Sequence, residues 1–287
     1  VPEERRRNWL LDGSVPVAVY GLGTMGLPLA AVYADTTDNV IGVDIDEGVV
    51  EQVNRGECPV ENEPRLPYLV SESVESGTLR ATVDPSAAAS VASVHVVIVP
   101  TTLHEDNSPD LSTLRAAVRA IGSGLEEGDM VVVESTVPPG TSRTVVRPLL
   151  EEESGLSIGE FGLAFCPERT SSGRAIHDIR AAYPKVVGGI DVESTRTAAL
   201  IYDEITENRV IQVSDITTAE SVKVFEGVYR DVNIALANEL ARFADEMEID
   251  VLEAIEVANT QPFCDIHDPG AGVGGHCIPF YPYFLTE

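Results

Sequence analysis

The chain has 287 residues, of which 44% are hydrophobic and 23% are charged. This composition is typical of a folded protein and excludes a disordered segment, and the length allows more than one packed unit. The 47 Asp and Glu residues outnumber the 19 Lys and Arg residues, and the formal net charge of −28 argues against a nucleic-acid binder of the usual basic type.

The acidic residues are spread along the chain and do not form a tail. We interpret them as a solvated shell adapted to a salty, halophilic cytosol, where ions screen the self-repulsion. Lysine occurs only at Lys185 and Lys223, and arginine supplies every other cation.

The sequence gives no sign of a metal site or of a membrane span. The four cysteines are widely spaced and form no metal-binding pattern with histidine, so we expect free thiols and no bound metal. They are Cys58, Cys166, Cys264 and Cys277. No apolar run reaches the roughly 18 residues of a membrane helix. Arg5-Arg6-Arg7 is similar to a twin-arginine export signal, but the apolar stretch behind it is short. We therefore expect a cytoplasmic protein with no membrane partner.

Short apolar runs without polar alternation recur between residues 15 and 213, and they predict strands that are covered on both faces. The runs are Val17–Tyr20, Val40–Val43, Val96–Val99, Met130–Val133, Gly162–Phe165, Lys185–Val187 and Val210–Val213. Amphipathic segments such as Leu111–Ile121 and Ser194–Tyr202 lie between them. This alternation predicts an α/β fold with a doubly wound parallel Rossmann sheet.

The alternation stops near Thr217. From there to about Glu248 apolar residues recur at helical spacing, Gly227 is the only Gly or Pro, and Thr217 or Thr218 is the expected helix start. A shorter helix is predicted over Val251–Ala258. Because one small domain can hardly bury so long a helix, we expect a homodimer through it. We divide the chain into a sheet domain, 1–213, and a helical dimerisation domain, 214–287.

A glycine motif follows the first predicted strand and opens a helix predicted over Leu27–Ala34. Its first glycine makes the tight turn, its second lets the backbone approach a pyrophosphate, and its third allows close packing of helix on strand. The helix N-terminus adds amide donors for phosphate. The expected contacts to a dinucleotide are Gly21, Gly23, Thr24, Met25 and Gly26.

Asp44 ends the second predicted strand, where a carboxylate can accept hydrogen bonds from the adenosine ribose. Its charge would repel a 2′-phosphate, which predicts NAD over NADP as the cofactor. The alternative is a glycine turn that binds nothing. Asp46 is open to two interpretations, because it can also cap the next helix.

Two loop segments carry candidate chemical groups. Cys277 lies among glycines whose amides could hold an oxyanion, although a small buried cysteine is the commoner case. Glu168 directly follows a strand, at the sheet edge where ligands bind in doubly wound folds. The alternative for Glu168 is a surface salt bridge with Arg169.

A third candidate lies on the long helix. Lys223, Gly227 and Arg230 share one helix face. In most proteins such a face is a solvated edge. In a chain with so few lysines, however, a retained ammonium indicates a role that arginine does not fill.

Taken together these segments resemble the UDP-glucose/GDP-mannose dehydrogenase family, from about Val17 to the last residue. Phe165–Arg169, Tyr229–Leu240 and Gly272–Cys277 are most similar to its UDP-N-acetylmannosamine dehydrogenase branch. The resemblance implies an oxidoreductase of polysaccharide biosynthesis that oxidises the C6 alcohol of a UDP-sugar to a carboxylate, with two NAD consumed. UDP-N-acetylmannosamine is favoured and UDP-glucose stays open, since Gln261–Phe263 stands where that branch often has basic residues.

The resemblance also implies roles for individual residues. Cys277 matches the nucleophile that forms a thiohemiacetal and then a thioester, Glu168 the residue that manages the hydrolytic water, and Lys223 the lysine that stabilises developing oxygen charge. The remaining matches are substrate contacts at Arg169, Thr170, Arg230 and Gly274, and cofactor contacts at Thr101 and Thr136.

The sequence departs from the family pattern at three points. Gly227 stands where the family usually has asparagine, and Tyr281 stands where an aspartate usually follows the cysteine. Family members also continue into a second nucleotide-binding domain that completes the UDP site, and this sequence contains no such segment. We therefore expect weak or no turnover from these 287 residues alone.

Two other functions stay open at this point. Gly21–Pro28 is also similar to the opening of the β-hydroxyacid dehydrogenases, which perform one hydride transfer and need no cysteine. Gly227 and Tyr281 are also compatible with an NAD-binding protein that has no catalytic activity.

Overall fold

The computed structural model describes residues 13–275 and 277–286. The strands within those residues are β1 Val17–Tyr20, β2 Val40–Val43, β3 Leu79–Thr82, β4 Val94–Val97, β5 Thr102–Leu103, β6 Pro109–Asp110, β7 Met130–Val133, β8 Gly162–Phe165, β9 Lys185–Gly189 and β10 Val210–Gln212. Eight of them form one sheet in the order β10-β9-β8-β7-β4-β1-β2-β3. Strands β5 and β6 form a separate antiparallel hairpin. Arg5-Arg6-Arg7 lies outside the described residues.

Helices cover both faces of the sheet. They are α1 Gly26–Ala34, α2 Glu47–Asn54, α3 Leu66–Ser76, α4 Pro85–Ala89, α5 Ser112–Gly122, α6 Arg147–Ser154, α7 Ala175–His177, α8 Val192–Ile205, α9 Ile216–Met247 and α10 Val251–Ala258, with π-helical turns at Ser142–Val146 and Asp178–Ala182 and a 3₁₀ helix at Tyr281–Leu285. The β1 side chains alternate between two cores, Val17 and Val19 in one and Ala18 and Tyr20 in the other. The doubly wound fold is therefore confirmed.

The sheet is parallel except at one edge, where one pair of strands is antiparallel. Strand β9 runs antiparallel to β8, and β10 follows β9 in parallel. The segment between β8 and β9 holds only the short α7 and the adjoining π-helical turn. A parallel connection usually crosses the sheet through a packed helix. This connection has no such helix, and the chain returns in the opposite direction.

The long helix is confirmed, and it begins slightly earlier than predicted. Asp215 is its N-cap, and its side chain accepts a hydrogen bond from the Thr218 amide, so the first helical residue is Ile216. The last helical residue is Met247, and the C-cap that follows it, Glu248, has a left-handed φ of 54°. The following helix, α10, has the predicted bounds and is capped by Asp250.

Part of the acidic excess has a local structural role. Aspartate side chains accept the first free amides of five described helices, which leaves fewer unsatisfied donors at each start. These N-caps are Asp46, Asp84, Asp191, Asp215 and Asp250. Capping is the role that the structure shows for Asp46, one of the two interpretations left open by the sequence.

Candidate active site and family assignment

The glycine motif forms a tight turn between β1 and α1. Gly21 has a φ of +100°, which favours glycine, and its amide donates to the Val43 carbonyl at 2.7 Å. A Cβ at Gly26 would clash with the Gly21 carbonyl oxygen, so the third glycine permits helix and strand to approach. A Cβ at Gly23 would meet only open space. The backbone at Gly23 is therefore accessible to a ligand at the N-terminus of α1.

Asp44 lies half-buried beside this turn, at the end of β2. One of its carboxylate oxygens accepts the Leu22 amide at 2.8 Å, and the other accepts the Asp46 amide at 3.0 Å. The carboxylate is thus fixed beside the glycine turn, where a ribose that follows the pyrophosphate would lie.

Thr101 and Thr136 lie in the loops after β4 and β7, which are neighbouring strands. The Thr101 hydroxyl is buried and has no hydrogen-bond partner among the described residues. Ser135 ties the two loops together, because its hydroxyl donates to the Val99 carbonyl at 2.8 Å and accepts the Val99 amide at 2.9 Å. An unsatisfied hydroxyl, an open glycine turn and a fixed carboxylate at one sheet edge fit a dinucleotide such as NAD.

Glu220 of α9, which sequence reasoning did not single out, holds the segment that follows β7 in place. Its carboxylate is fully buried and accepts the amides of Gly140 at 2.5 Å and Ser142 at 2.7 Å. Burial raises the pKa of Glu220 above its ordinary value. The loop that carries Thr136 is thereby attached to the same helix that carries Lys223.

Glu168 and Lys223 meet at the carboxyl end of β8. The Lys223 ammonium lies 3.3 Å from one Glu168 oxygen, and both side chains are largely buried. The other oxygen accepts the amide and the hydroxyl of Thr170. The Thr170 hydroxyl also lies 3.0 Å from the Met25 sulfur. These contacts place the acid and the lysine directly beside the glycine turn.

The salt bridge considered between Glu168 and Arg169 is not formed. The Arg169 guanidinium pairs with Glu226 of α9 instead, at 2.6 Å, and donates to the Pro184 carbonyl at 3.0 Å. It also stacks over the Tyr183 ring at 5.0 Å. Arg230, one helical turn beyond Glu226, is exposed. Arg169 and Arg230 therefore lie on the same side of α9, with Arg169 held in place by its partners.

Cys277 is exposed in the glycine-rich loop before the 3₁₀ helix. Gly272 and Gly275 have φ of +120° and +98°, and Gly274 is exposed with open space around it. His276 lies outside the described residues. Cys166 is the contrasting case, since it is fully buried below the Glu168 loop and burial raises the pKa of its thiol to about 12. Its thiol is therefore inert, whereas the Cys277 thiol is accessible.

The two unusual positions, Gly227 and Tyr281, touch each other. A Cβ at Gly227 would lie 2.6 Å from Cε2 of the Tyr281 ring and closer still to Cδ2. Tyr281 is buried against Val224 of α9 and Phe284. The absence of a side chain at Gly227 therefore makes the space that this tyrosine fills.

A buried ion pair lies under the Glu168 loop. The Lys185 ammonium is 3.8 Å from a Glu134 oxygen and 5.4 Å from the centre of the Tyr202 ring, and the Tyr202 hydroxyl donates to Glu134 at 2.5 Å. Sequence reasoning missed this cluster, although Lys185 is one of only two lysines. Burial raises the pKa of Glu134 despite the opposing charge. Both lysines of the chain thus neutralise largely buried carboxylates next to the candidate site.

Replacing Lys185 by methionine is expected to cost about 3–5 kcal/mol of unfolding free energy at neutral pH, because Glu134 keeps a buried charge without its counter-ion. Without the ammonium the folded pKa of Glu134 rises further, so the penalty is relieved at low pH and grows as the pH rises through that pKa. Urea unfolding between acidic and neutral pH measures both effects. The variant carrying both Lys185→Met and Glu134→Leu should recover most of the loss, and an equal loss in both variants would contradict the account.

Among the described residues, no group of three or more His, Cys, Asp and Glu side chains is arranged to hold a metal ion. No described helix combines the length and the apolar character needed to cross a membrane.

Comparison with known proteins places the chain in a family. Residues 15–206 match the NAD binding domain of the UDP-glucose/GDP-mannose dehydrogenase family, and residues 217–287 match its central domain. UDP-N-acetyl-D-mannosamine dehydrogenase of Pyrococcus horikoshii is 39% identical over 272 residues, with 94% of this chain and 64% of that protein covered. NDP-N-acetyl-D-galactosaminuronic acid dehydrogenase of Ralstonia solanacearum is also 39% identical, over 278 residues and with the same coverage.

Solved structures agree with the sequence matches. The UDP-D-ManNAc dehydrogenase structure from Pyrococcus horikoshii has a TM-score of 0.89 and 38% identity, and it covers 94% of this chain and 64% of its own. The chain thus spans about 64% of the length of these relatives. The match to the NAD binding domain confirms the prediction of NAD as the cofactor. On these matches, the chain belongs to the UDP-glucose/GDP-mannose dehydrogenase family.

Proposed function

We propose that the chain forms the NAD-binding and central parts of an NAD-dependent UDP-sugar 6-dehydrogenase, an enzyme that oxidises a C6 alcohol to a carboxylate. The observation that carries the proposal is the pairing of Glu168 with Lys223 at 3.3 Å, beside the glycine turn. An exposed thiol, Cys277, lies on the loop that leads into the 3₁₀ helix, and Tyr281 of that helix packs against Val224 of α9. Thioester chemistry needs these groups: a sulfur nucleophile, a carboxylate and a fixed positive charge.

Each group has a distinct part in the proposed reaction. NAD, when bound, accepts one hydride in each of the two oxidations. The Cys277 sulfur attacks the C6 aldehyde to form a thiohemiacetal, whose oxidation leaves a thioester on the sulfur. Lys223 stabilises the negative charge that develops on the C6 oxygen. Glu168 takes a proton from the water that attacks the thioester, and this step releases the carboxylate and restores the thiol.

The sugar is proposed from the relatives and from the positive charges near the acid. The similar proteins are named for UDP-N-acetyl-D-mannosamine and NDP-N-acetyl-D-galactosaminuronic acid, so we propose a 2-acetamido UDP-sugar, with UDP-N-acetylmannosamine first and UDP-glucose second. Arg169, Thr170, Arg230 and Gly274 are the proposed substrate contacts. Gly21, Gly23, Thr24, Met25, Gly26, Asp44, Thr101 and Thr136 are the proposed cofactor contacts. The proposed domain boundary stays at residues 213 and 214.

A spectrophotometric screen of the complete protein against several UDP-sugars tests this function. We expect two NADH per sugar consumed, with the best rate on a 2-acetamido sugar. One NADH per sugar would favour a single hydride transfer, as in the β-hydroxyacid dehydrogenases. NAD binding with no reduction on any UDP-sugar would contradict the proposed activity.

We further propose that the chain acts as a homodimer through α9. Large apolar side chains form an exposed stripe along this helix at spacings of three or four residues, with Leu240 half-buried in the middle of the stripe. They are Phe225, Tyr229, Val232, Leu236, Phe243 and Met247. A monomer rarely exposes so long an apolar surface, and the spacing suits packing against another helix.

Placing a charge in this stripe is expected to separate the subunits. Val232 is 60% exposed within the stripe, whereas Val192 is 68% exposed on α8, outside it. Val232→Glu should give a monomer, because a carboxylate buried in an apolar interface is strongly disfavoured. Val192→Glu is the matched control and should keep the dimer mass. Light scattering measures both, and an unchanged dimer in Val232→Glu would refute this interface.

The proposal of a salt-adapted protein has its own test. The net charge of −28 leaves strong self-repulsion at low ionic strength. Raising KCl from about 0.1 M to about 1 M shortens the screening length from about 10 Å to about 3 Å. We therefore expect the melting temperature to rise over this range. A flat or falling melting temperature would argue against salt adaptation.

A further inference from the structure

The Tyr281 ring fills a space that exists only because residue 227 is glycine. The ring is 7% exposed and packs on α9 beside Val224. A Cβ at Gly227 would lie 2.6 Å from Cε2 and 2.7 Å from Cγ of this ring, well inside van der Waals contact. Backbone atoms of a helix cannot move aside easily, so any side chain at position 227 would displace the tyrosine. The two residues form one fitted pair.

The ring face of Tyr281 is turned toward the lysine of the site. The Lys223 ammonium lies 5.9 Å from the ring centroid, at the limit of a cation–π contact. The same ammonium is 3.3 Å from Glu168. Tyr281 thus contacts the lysine through a neutral ring, while Glu168 supplies the negative charge that the lysine needs.

The hydroxyl of Tyr281 lies near the nucleophile. The Cys277 thiol, the Thr136 hydroxyl and the Glu168 carboxylate are all close enough to interact with it electrostatically. Burial is the main reason that the pKa of Tyr281 is raised well above its ordinary value, and the neighbouring Cys277 raises it further. The phenol therefore keeps its proton at neutral pH and is available as a donor. The Cys277 carbonyl also accepts the Phe280 amide at 2.9 Å, which closes the turn between the two side chains.

We propose that Tyr281 is a positioning residue in this chain, whose phenol donates a hydrogen bond to the Cys277 sulfur while its ring holds Lys223, and that Gly227 is required to admit the ring. A phenol thereby stands where relatives of this family usually have an aspartate. The proposal rests on the proposed function only in taking Cys277 as the nucleophile. The groups that face Tyr281 are Lys223 from α9, Glu168 from the loop after β8, Thr136 from the loop after β7, and Cys277.

Alkylation of Cys277 tests the hydrogen bond without substrate or turnover. Iodoacetamide labelling of the chain, followed by mass spectrometry of the Cys277 peptide, gives the labelling rate as a function of pH. Tyr281→Phe keeps the ring and removes the donor, so the thiolate loses a hydrogen bond and the pH midpoint of labelling should rise by about one unit. This shift lowers the thiolate fraction roughly tenfold below the midpoint. The Cys264 peptide is an internal reference whose midpoint should not move.

Tyr283→Phe is the matched control, because Tyr283 lies in the same 3₁₀ helix and is 38% exposed. In Tyr283→Phe the pH midpoint of Cys277 labelling should equal that of the unchanged chain. An unchanged midpoint in Tyr281→Phe as well would overturn the proposal, leaving Tyr281 as a packing residue. The labelling experiment needs no sugar, so its outcome is independent of the UDP-sugar screen. If the screen fails but Tyr281→Phe still shifts the labelling midpoint, the proposed function is rejected and the role of Tyr281 is retained.

Thermal unfolding of a double-mutant cycle tests the fitted pair independently. Gly227→Ala should lower the melting temperature by several degrees, because its methyl group overlaps the ring. In the Tyr281→Ala background the same Gly227→Ala change should cost nothing or raise the melting temperature, since alanine favours helix more than glycine does. If Gly227→Ala lowers the melting temperature equally in both backgrounds, Gly227 is not needed to make room for the Tyr281 ring, and that part of the proposal is overturned.

Discussion

Replacing Cys277 by serine is expected to lower the net oxidation of a UDP-sugar by at least ~1000-fold, as removal of a covalent nucleophile does in other enzymes. Serine keeps the size of the side chain but is a far weaker nucleophile than a thiolate at neutral pH. Binding of NAD should be unaffected, because neither the glycine turn nor Asp44 forms a hydrogen bond to the residues of this loop that the structure describes. Steady-state NADH formation and an NAD titration measure the two properties.

Cys264→Ser is the matched control for this experiment. Cys264 is a half-buried free thiol that donates to the Asn259 side chain at 3.4 Å, a contact that serine can also make. Its activity should equal that of the unchanged enzyme. Full activity in Cys277→Ser would remove the acyl-enzyme route and favour a dehydrogenase that completes one hydride transfer without a thiol.

Replacing Glu168 by glutamine is expected to slow steady-state turnover by roughly 100- to 10,000-fold, the usual contribution of a general base. Both oxidations precede the hydrolysis that Glu168 assists, so they should still occur once per site. Rapid mixing with a UDP-sugar should therefore show a burst of two NADH per site, followed by very slow release. Glutamine is nearly the same size and can keep the oxygen that accepts from Thr170.

Glu160→Gln is the control for the charge change, because Glu160 is exposed at the opposite end of β8 and accepts a hydrogen bond from a loop amide, that of Ser157. It should show normal turnover and no burst. If Glu168→Gln loses both the NADH burst and steady-state turnover, Glu168 acts in a step earlier than hydrolysis.

The central strands could be predicted from sequence because they are buried on both faces. Val17–Tyr20 and Met130–Val133 are continuous apolar runs, and the structure has them with the predicted bounds. Strand β3 was missed because only Leu79 of its four residues is buried, so the apolar run that marks a covered strand is absent. The reversed direction of β9 was also missed, since direction depends on the connection and not on the composition of the strand.

The components of the candidate site were identified from sequence, but their partners were not. The glycine turn and Lys223 belong to motifs with recognisable spacing. Glu226, which pairs with Arg169, and Tyr281, which fills the space at Gly227, are contacts made by folding. The sequence marked Gly227 and Tyr281 as two separate departures from the family. In the structure the ring of Tyr281 fills the space left at Gly227, a contact that no local pattern reveals.

The most direct test of the account is the mass of the Cys277 peptide during turnover. Glu168→Gln enzyme, mixed with a UDP-sugar and NAD and then quenched in acid, should carry a sugar-uronyl thioester on Cys277 in near-stoichiometric amount. Hydroxylamine should remove the added mass, since it cleaves thioesters. An unmodified Cys277 peptide from enzyme that has formed two NADH per site would contradict the thioester on which the account depends.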